Sequence, residues 1–244
     1  MSAAVITVPA FASARDGVRH FFGTRSHADS LAFDVGVPAR QSRAQGRGWL
    51  LSVKQVHGTD ALVVDRPLTE SDQFPGGWDA LVTDQLGVTV AVRTADCVPV
   101  LVHDPHRHVV AAIHVGWRGA VAGVVSKTLM LMATRFGSTR SDLRVSIGPS
   151  AGPCCYEVDD PVLDRLRVGL PDWQSVVRDY QGHKARLDLK ALIRRQMEGE
   201  GVSSSSVSSV NLCTICHDQL FYSYRREGRV NGTMVSGIAL LSCR

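Results

Sequence analysis

Three residues far apart in the chain carry donor side chains whose settings call for a partner: His57 in KQVHG, Cys97 in TADCVPVLVHD and His114 in AAIHVGWRG. His114 makes the strongest demand. Its ring lies inside an otherwise apolar β-type segment, so both nitrogens lose water and need a metal, a thiolate or a carbonyl in exchange. His57 alone reads as a hydrogen-bonded structural histidine, and Cys97 alone as a small buried apolar side chain. Together, two imidazoles and one thiolate form a three-ligand set suited to zinc, with the fourth tetrahedral position left for water or substrate. Zinc is the expected cofactor, with copper as the alternative occupant in vitro, because metal selectivity depends on supply as well as ligands. The spacing itself matches no local zinc pattern.

A second cysteine motif lies near the C-terminus, where Cys213 to His217 spell CTICH. C-x-x-C-H is the attachment pattern for c-type haem, a chemistry of exported proteins that does not suit this chain. A structural zinc site is the better functional alternative, but it needs a second ligand pair. Cys154 and Cys155 are adjacent rather than spaced C-x-x-C, so the preferred reading is a loop-packing motif. The sequence has no P-loop, no Rossmann glycine fingerprint and no nucleophile elbow. It also lacks the H-x-E with P-C-x-x-C signature of the zinc deaminases, of which Pro153-Cys154-Cys155 is a superficial echo.

The elements that must position these donors are mostly β-branched runs. WDALVTD, GVTVAVRTADCVPVLVHD and HVVAAIHVGWRG read as three buried strands, the middle one broken over Thr94 to Pro99 because proline cannot donate to a central ladder. His57 closes the strand-like segment LLSVKQV. After Gly119, the spacing of Val121, Val124, Val125, Leu129, Leu131 and Met132 predicts a helix that Gly137 stops. A strand follows at Leu143 to Ile147, then the loop GPSAGPCCYEV. Helices are expected from Pro161 to Arg167 and from Leu187 to Glu198. The serine-rich stretch after Gly201 connects to a strand near Val210, and Gly232 to Leu241 makes the last one. His106 and His108 fall on an exposed hairpin turn. Interleaved strands and helices without an internal repeat predict an α/β sandwich in a single domain over residues 1–244.

Composition sets the outer limits. The chain has 244 residues, 44% hydrophobic and 20% charged, which excludes disorder and disulfide-dense mini-scaffolds. The formal charge of +4 arises from 27 basic and 23 acidic residues. The basic residues are scattered, so no stripe points to nucleic acid, although scattered arginine suits a small anion. The N-terminal segment has no basic residue ahead of its apolar part and Pro9 interrupts it, so it reads as mature protein. No apolar run reaches the length of a membrane span. A soluble, cytoplasmic protein is expected, with its six cysteines as thiols, metal ligands or catalytic groups rather than disulfides.

In order, KQVHG, DALVTD, TADCVPVLVHD, AAIHVGWRG, IGPSAGPCCYEV and NLCTICHDQLFYSYRREG closely resemble the YfiH-like family, once called multicopper polyphenol oxidases or laccase-domain proteins. HFFGTRSHADS also looks like the family's opening strand and loop. The resemblance implies a layered α/β/β/α fold with mixed sheets and one zinc held by His57, Cys97 and His114. It further implies phosphorolysis of adenosine, inosine, guanosine and methylthioadenosine, together with deamination of adenosine. Nucleosides and phosphate are then the partners, and the protein is a monomer or small homo-oligomer. The chain departs from the family near its start, where Asp34 stands in place of an asparagine. The family's nucleoside-contacting arginine falls on Arg43, with Arg40 and Arg47 as the alternatives in that stretch.

Under this reading Asp96, next to Cys97, is the candidate proton carrier, with a turn-forming or histidine-orienting role as the alternative. Arg118 is placed to neutralise phosphate, with a structural role as its alternative. Three rivals remain. A cysteine amide hydrolase, as in peptidoglycan precursor editing, would use Cys97 as nucleophile and His114 as base. A copper-dependent polyphenol oxidase would need more clustered histidines than this sequence offers. A binding protein with a structural zinc would need a closed four-ligand site.

Overall fold

The computed structural model describes residues 5–11, 17–28, 39–41 and 48–241. Two six-stranded sheets form its centre. The first runs in the order β1 (Val5–Ile6), β2 (Val18–Gly23), β15 (Met234–Leu240), β7 (Val88–Thr94), β4 (Gly48–Leu51) and β3 (Ala39–Gln41). The second runs β14 (Val207–Ser209), β10 (Arg144–Ile147), β8 (Val98–Asp104), β9 (Val109–Val115), β6 (Ala80–Thr83) and β5 (Ala61–Val64). A small third sheet orders β11 (Glu157–Asp159), β13 (Lys184–Leu187) and β12 (Val177–Arg178). Both large sheets are mixed: β4 with β7, β5 with β6 and β10 with β14 are parallel, and the remaining pairs are antiparallel.

The second sheet is buried on both faces, which explains why its strands read as nearly continuous apolar runs. Alternate residues separate cleanly. Leu81, Leu101, Val110 and Ala112 pack with Val88, Val90, Val92 and Ile238 of the first sheet, in the layer between the sheets. Their neighbours Val82, Val100, Val102, Ala111 and Ile113 face the helices. These are α2 (Trp117–Ala122), α3 (Val124–Phe136), α4 (Asp160–Gly169) and α5 (Leu189–Gly199). Two short helices, α1 (Arg25–Ala28) and α6 (Tyr224–Glu227), complete the described α-helices. At roughly 1.5–3 kcal/mol for each fully buried Val or Leu, the two layers dominate the energetics and hold the strand register firmly. Among the described residues no helix is long and apolar enough to cross a membrane.

Four local expectations change. The break expected in the long middle run occurs, but the strands on either side of it lie in different sheets: β7 ends at Thr94, the chain crosses the sandwich over residues 95–97, and β8 begins at Val98. Pro99 lies inside β8, not in the break. The β10 ladder reaches only Val100, so the missing N–H falls beyond it. The expected single helix is split by Gly123, whose φ of 86° caps α2 and starts α3, while Gly137 ends α3 as the sequence indicates. His57 does not close a strand, since β4 ends at Leu51 and His57 lies on the following loop with a φ of 60°.

Candidate metal centre and active site

Strand parity brings two of the site's residues together. His114 lies in line with Ala112 and Val110 on the inter-sheet face of β9, and Asp79 lies in line with Leu81 just ahead of β6. The two strands are antiparallel neighbours, and the His114 amide donates to the Asp79 carbonyl at 2.7 Å. Their side chains meet as well, with His114 Nδ1 2.7 Å from Asp79 Oδ1 and both residues almost fully buried. The same carboxylate accepts the backbone N–H groups of His57 at 2.9 Å and Gly58 at 2.6 Å, with Val56 at 3.3 Å. Asp79 therefore sets the His114 ring and also fixes the loop that carries His57 in its left-handed backbone conformation.

Cys97 enters from the crossing between the sheets. Its Sγ lies 3.6 Å from His57 Nε2, and the two imidazole rings meet edge to face with centroids 4.8 Å apart. One donor atom each from His57, Cys97 and His114 lies within 4.8 Å of the others. Gly116 lets this approach occur: a Cβ there would come within 2.8 Å of the His57 ring and 3.2 Å of Cys97 Sγ.

The charges couple. Burial pushes the Cys97 thiol up, but hydrogen bonds from His114 and His57 more than offset it and bring the group down to about 7. Burial likewise disfavours the His114 imidazolium, while Asp79 and then Cys97 raise it to about 9. The Asp79 carboxyl is also opposed by burial, but the bonds from His114, Gly58 and His57 hold it below the usual carboxylate range.

This donor set fits a metal. With Nδ1 of His114 facing a carboxylate, Nε2 is left for coordination, the arrangement in which a histidine ligand is oriented from behind. Nitrogen and sulfur ligands of one tetrahedral zinc stand about 3.5 Å apart, close to the 3.6 Å between His57 and Cys97.

The donors line a cavity of about 840 Å³, whose walls include Arg93, Arg118, Tyr156, Tyr224 and Arg225. Among the described residues, four cationic side chains, Lys54 and these three arginines, line it against one carboxylate, Asp96. Arg118 is exposed and stacks on Trp117 with 4.4 Å between its guanidinium carbon and the ring centroid; among the described residues it forms no ion pair. Arg225 lies 5.1 Å over the Tyr156 ring.

Asp96 takes a φ of 95°, and its carboxylate is fully engaged. It accepts from Thr214 Oγ1 at 2.6 Å, Ser223 Oγ at 3.0 Å and the Arg225 amide at 2.7 Å. It contacts neither histidine through these bonds, so it anchors the C-terminal loop to the cavity wall. Asp79 is the orienting carboxylate, and sequence reasoning missed it. Its signal was an acidic residue opening an apolar strand. Arg43 and Arg47 lie outside the described residues, as does Asp34, and of Arg40 only the backbone in β3 is described. His106 and His108 sit on the β8–β9 turn, at the end of that hairpin opposite to His114.

Residues 38–241 match the family model described as multi-copper polyphenol oxidoreductase laccase. Purine nucleoside phosphorylase YlmD of Geobacillus stearothermophilus is 38% identical over 195 residues, covering 76% of this chain and 70% of that protein. Adenosine deaminase RL5, from an unknown prokaryotic organism, is 31% identical over 252 residues, covering 93% and 96% respectively. In structure, the Bacillus licheniformis hypothetical protein YfiH superposes with a TM-score of 0.80 at 25% identity, covering 98% of this chain and 97% of its own. Sequence motifs, layered fold and family model agree, and the chain belongs to the multi-copper polyphenol oxidoreductase laccase family, the YfiH-like family that its motifs resemble.

Proposed function

We propose that this chain is a zinc-dependent purine nucleoside enzyme that cleaves nucleosides with phosphate and deaminates adenosine at the same site. The observation that carries the reading is the cavity itself, with a His-Cys-His floor beneath walls that combine aromatic rings with an excess of positive charge. Relatives named purine nucleoside phosphorylase and adenosine deaminase support it.

A zinc ion held by His57, Cys97 and His114 would supply a Lewis acid at the cavity floor. Tyr156 and Tyr224 offer ring faces on which a purine can stack. Arg118 and Arg225, with Arg93 deeper in the wall, favour an anion beside the ribose. In phosphorolysis a phosphate oxygen bonds to the ribose C1′ as the C1′–N9 bond breaks, and the leaving purine takes a proton. Arginines beside the phosphate offset the charge carried into that transition state. In deamination, water adds at the purine C6 and ammonia leaves. Asp96 acts as a positioning residue in this scheme, holding Arg225 and the Thr214 loop against the wall.

A second reading has a specific observation in its favour: Cys97 Sγ lies within 4.8 Å of a His114 ring nitrogen and Asp79 backs that ring, the layout of a cysteine amide hydrolase with a thiolate–imidazolium pair. Purified protein given adenosine with and without phosphate, beside Cys97→Ala, separates the two. Phosphate-dependent adenine and ribose 1-phosphate, or inosine, that disappear in the variant support the nucleoside enzyme. No product from zinc-loaded protein would reject it for adenosine and favour the hydrolase. Among the described residues, the multi-copper reading of the family description finds two histidines and one thiol at this site.

A further inference from the structure

Outside this cavity, a second group of side chains converges with no part in the proposed reaction. Cys154 and Cys155 lie on the loop after β10, and Cys213 and Cys216 on the loop after β14. Because β10 and β14 are parallel neighbours, with Ile147 paired to Ser209, the chain leaves both strands on the same side and the two loops run together. A bridge between Ser150 and Cys213 continues the pairing, and the Thr214 amide donates to the Ser150 carbonyl at 3.0 Å.

All four sulfur atoms lie within 4.8 Å of one another, with Cys216 Sγ 3.5 Å from Cys154 Sγ and 3.3 Å from Cys155 Sγ. Four thiolates around one tetrahedral zinc stand about 3.8 Å apart, given Zn–S bonds of about 2.3 Å. The surroundings suit a negatively charged cluster. The Gly152 amide points at Cys213 Sγ at 3.2 Å, the kind of N–H to sulfur bond that supports a thiolate ligand. A Cβ on Gly152 would press 3.2 Å from Cys213 Cβ and 3.4 Å from Cys154 Sγ, so a residue without a side chain is what lets the backbone close over the sulfurs. Two cations flank the same loop: Lys190 Nζ donates to the Val210 and Leu212 carbonyls, and Arg226 donates to those of Thr214 and Ile215. His217 stands apart, with Nδ1 2.9 Å from the Cys213 carbonyl.

We propose that Cys154, Cys155, Cys213 and Cys216 form a second metal centre, a closed four-thiolate site for a zinc-class divalent cation that clamps the loop after β10 to the loop after β14. Binding converts up to four thiols to thiolates, releases their protons to solvent and leaves a complex of net charge −2. Every ligand position is filled by protein, so the centre is structural. The clamp has a direct line to the cavity, because Thr214 holds Asp96 and Tyr156 follows Cys155 into the cavity wall.

The test uses the full chain with both His57→Ala and Cys97→Ala, which removes the first site, purified under reductant with zinc and then dialysed. Metal per chain is measured by mass spectrometry of the elements, beside the same protein carrying Cys216→Ser. One zinc per chain in the double variant, falling by at least tenfold with Cys216→Ser while circular dichroism stays unchanged, supports the proposal. So does a sulfur-to-cobalt charge-transfer band on loading Co²⁺, lost in the triple variant. Should the double variant misfold, wild-type protein holding two zinc and Cys216→Ser holding one reads the same quantity. Four free thiols with no metal, a disulfide seen as a two-hydrogen mass loss, or an iron–sulfur chromophore would each overturn it. None of these results depends on nucleoside activity.

Discussion

The two groups of donor side chains differ in what would complete their coordination. His57, Cys97 and His114 present three donors to an open cavity and lean on a buried carboxylate. Cys154, Cys155, Cys213 and Cys216 present four donors from two loops that cross-link each other. An incomplete set leaves a position for substrate, whereas a complete one leaves none, so the first suits catalysis and the second suits holding loops together.

Substitution at the two sites should therefore separate activity from stability. Cys97→Ala is expected to lower phosphorolysis on the order of a thousandfold by removing electrostatic stabilisation at the cavity floor, with little change in melting temperature. Cys216→Ser should do the reverse, keeping most activity while lowering the melting temperature, at roughly 2–4 °C per kcal/mol lost for a chain of this size. Steady-state kinetics and thermal melts on both variants check the pair, and equal loss of activity in both would erase the distinction.

Asp79→Asn comes next. Truncating a buried charged pair costs roughly 3–5 kcal/mol, so the isosteric amide is the informative change. Loss of the carboxylate behind His114 should weaken zinc binding about 10- to 100-fold, read by competition with a chromogenic chelator. Arg118→Ala should raise the KM for phosphate by roughly tenfold, the value of one charged hydrogen bond, and leave the KM for nucleoside nearly unchanged. The smallest effect is expected from Gly116→Ala, whose backbone conformation admits alanine. The added methyl meets the His57 ring and Cys97, and zinc affinity should fall several-fold with the fold intact.

The sequence made some of this legible and hid the rest for physical reasons. His114 announced itself, because a histidine in VVAAIHV cannot be buried unpaired, and the structure supplies Asp79. The β-branched runs of β6, β8 and β9 foretold buried strands and the break after Thr94, but both faces of that sheet are apolar, so the pattern did not show that the strands on either side of the break lie in different sheets. His57 was read as a strand end because LLSVKQV is apolar; what decides its place is the Asp79 carboxylate, which pulls three consecutive amides around it. Asp96 looked catalytic by adjacency to Cys97, and its three hydrogen bonds come from residues more than a hundred positions away. The pairing of Cys154 and Cys155 with CTICH was passed over because the two pairs lack matching spacing. Their meeting follows from the parallel alignment of β10 with β14, which no local pattern records.

The most direct test of the account is inosine phosphorolysis by wild-type protein stripped with a strong chelator and then returned to zinc. Activity should vanish on stripping, return in proportion to zinc bound at the His57–Cys97–His114 site, and need about 10- to 100-fold more free zinc in Asp79→Asn. Full activity in the stripped protein would contradict the account and move the chemistry to Cys97 as a metal-free nucleophile.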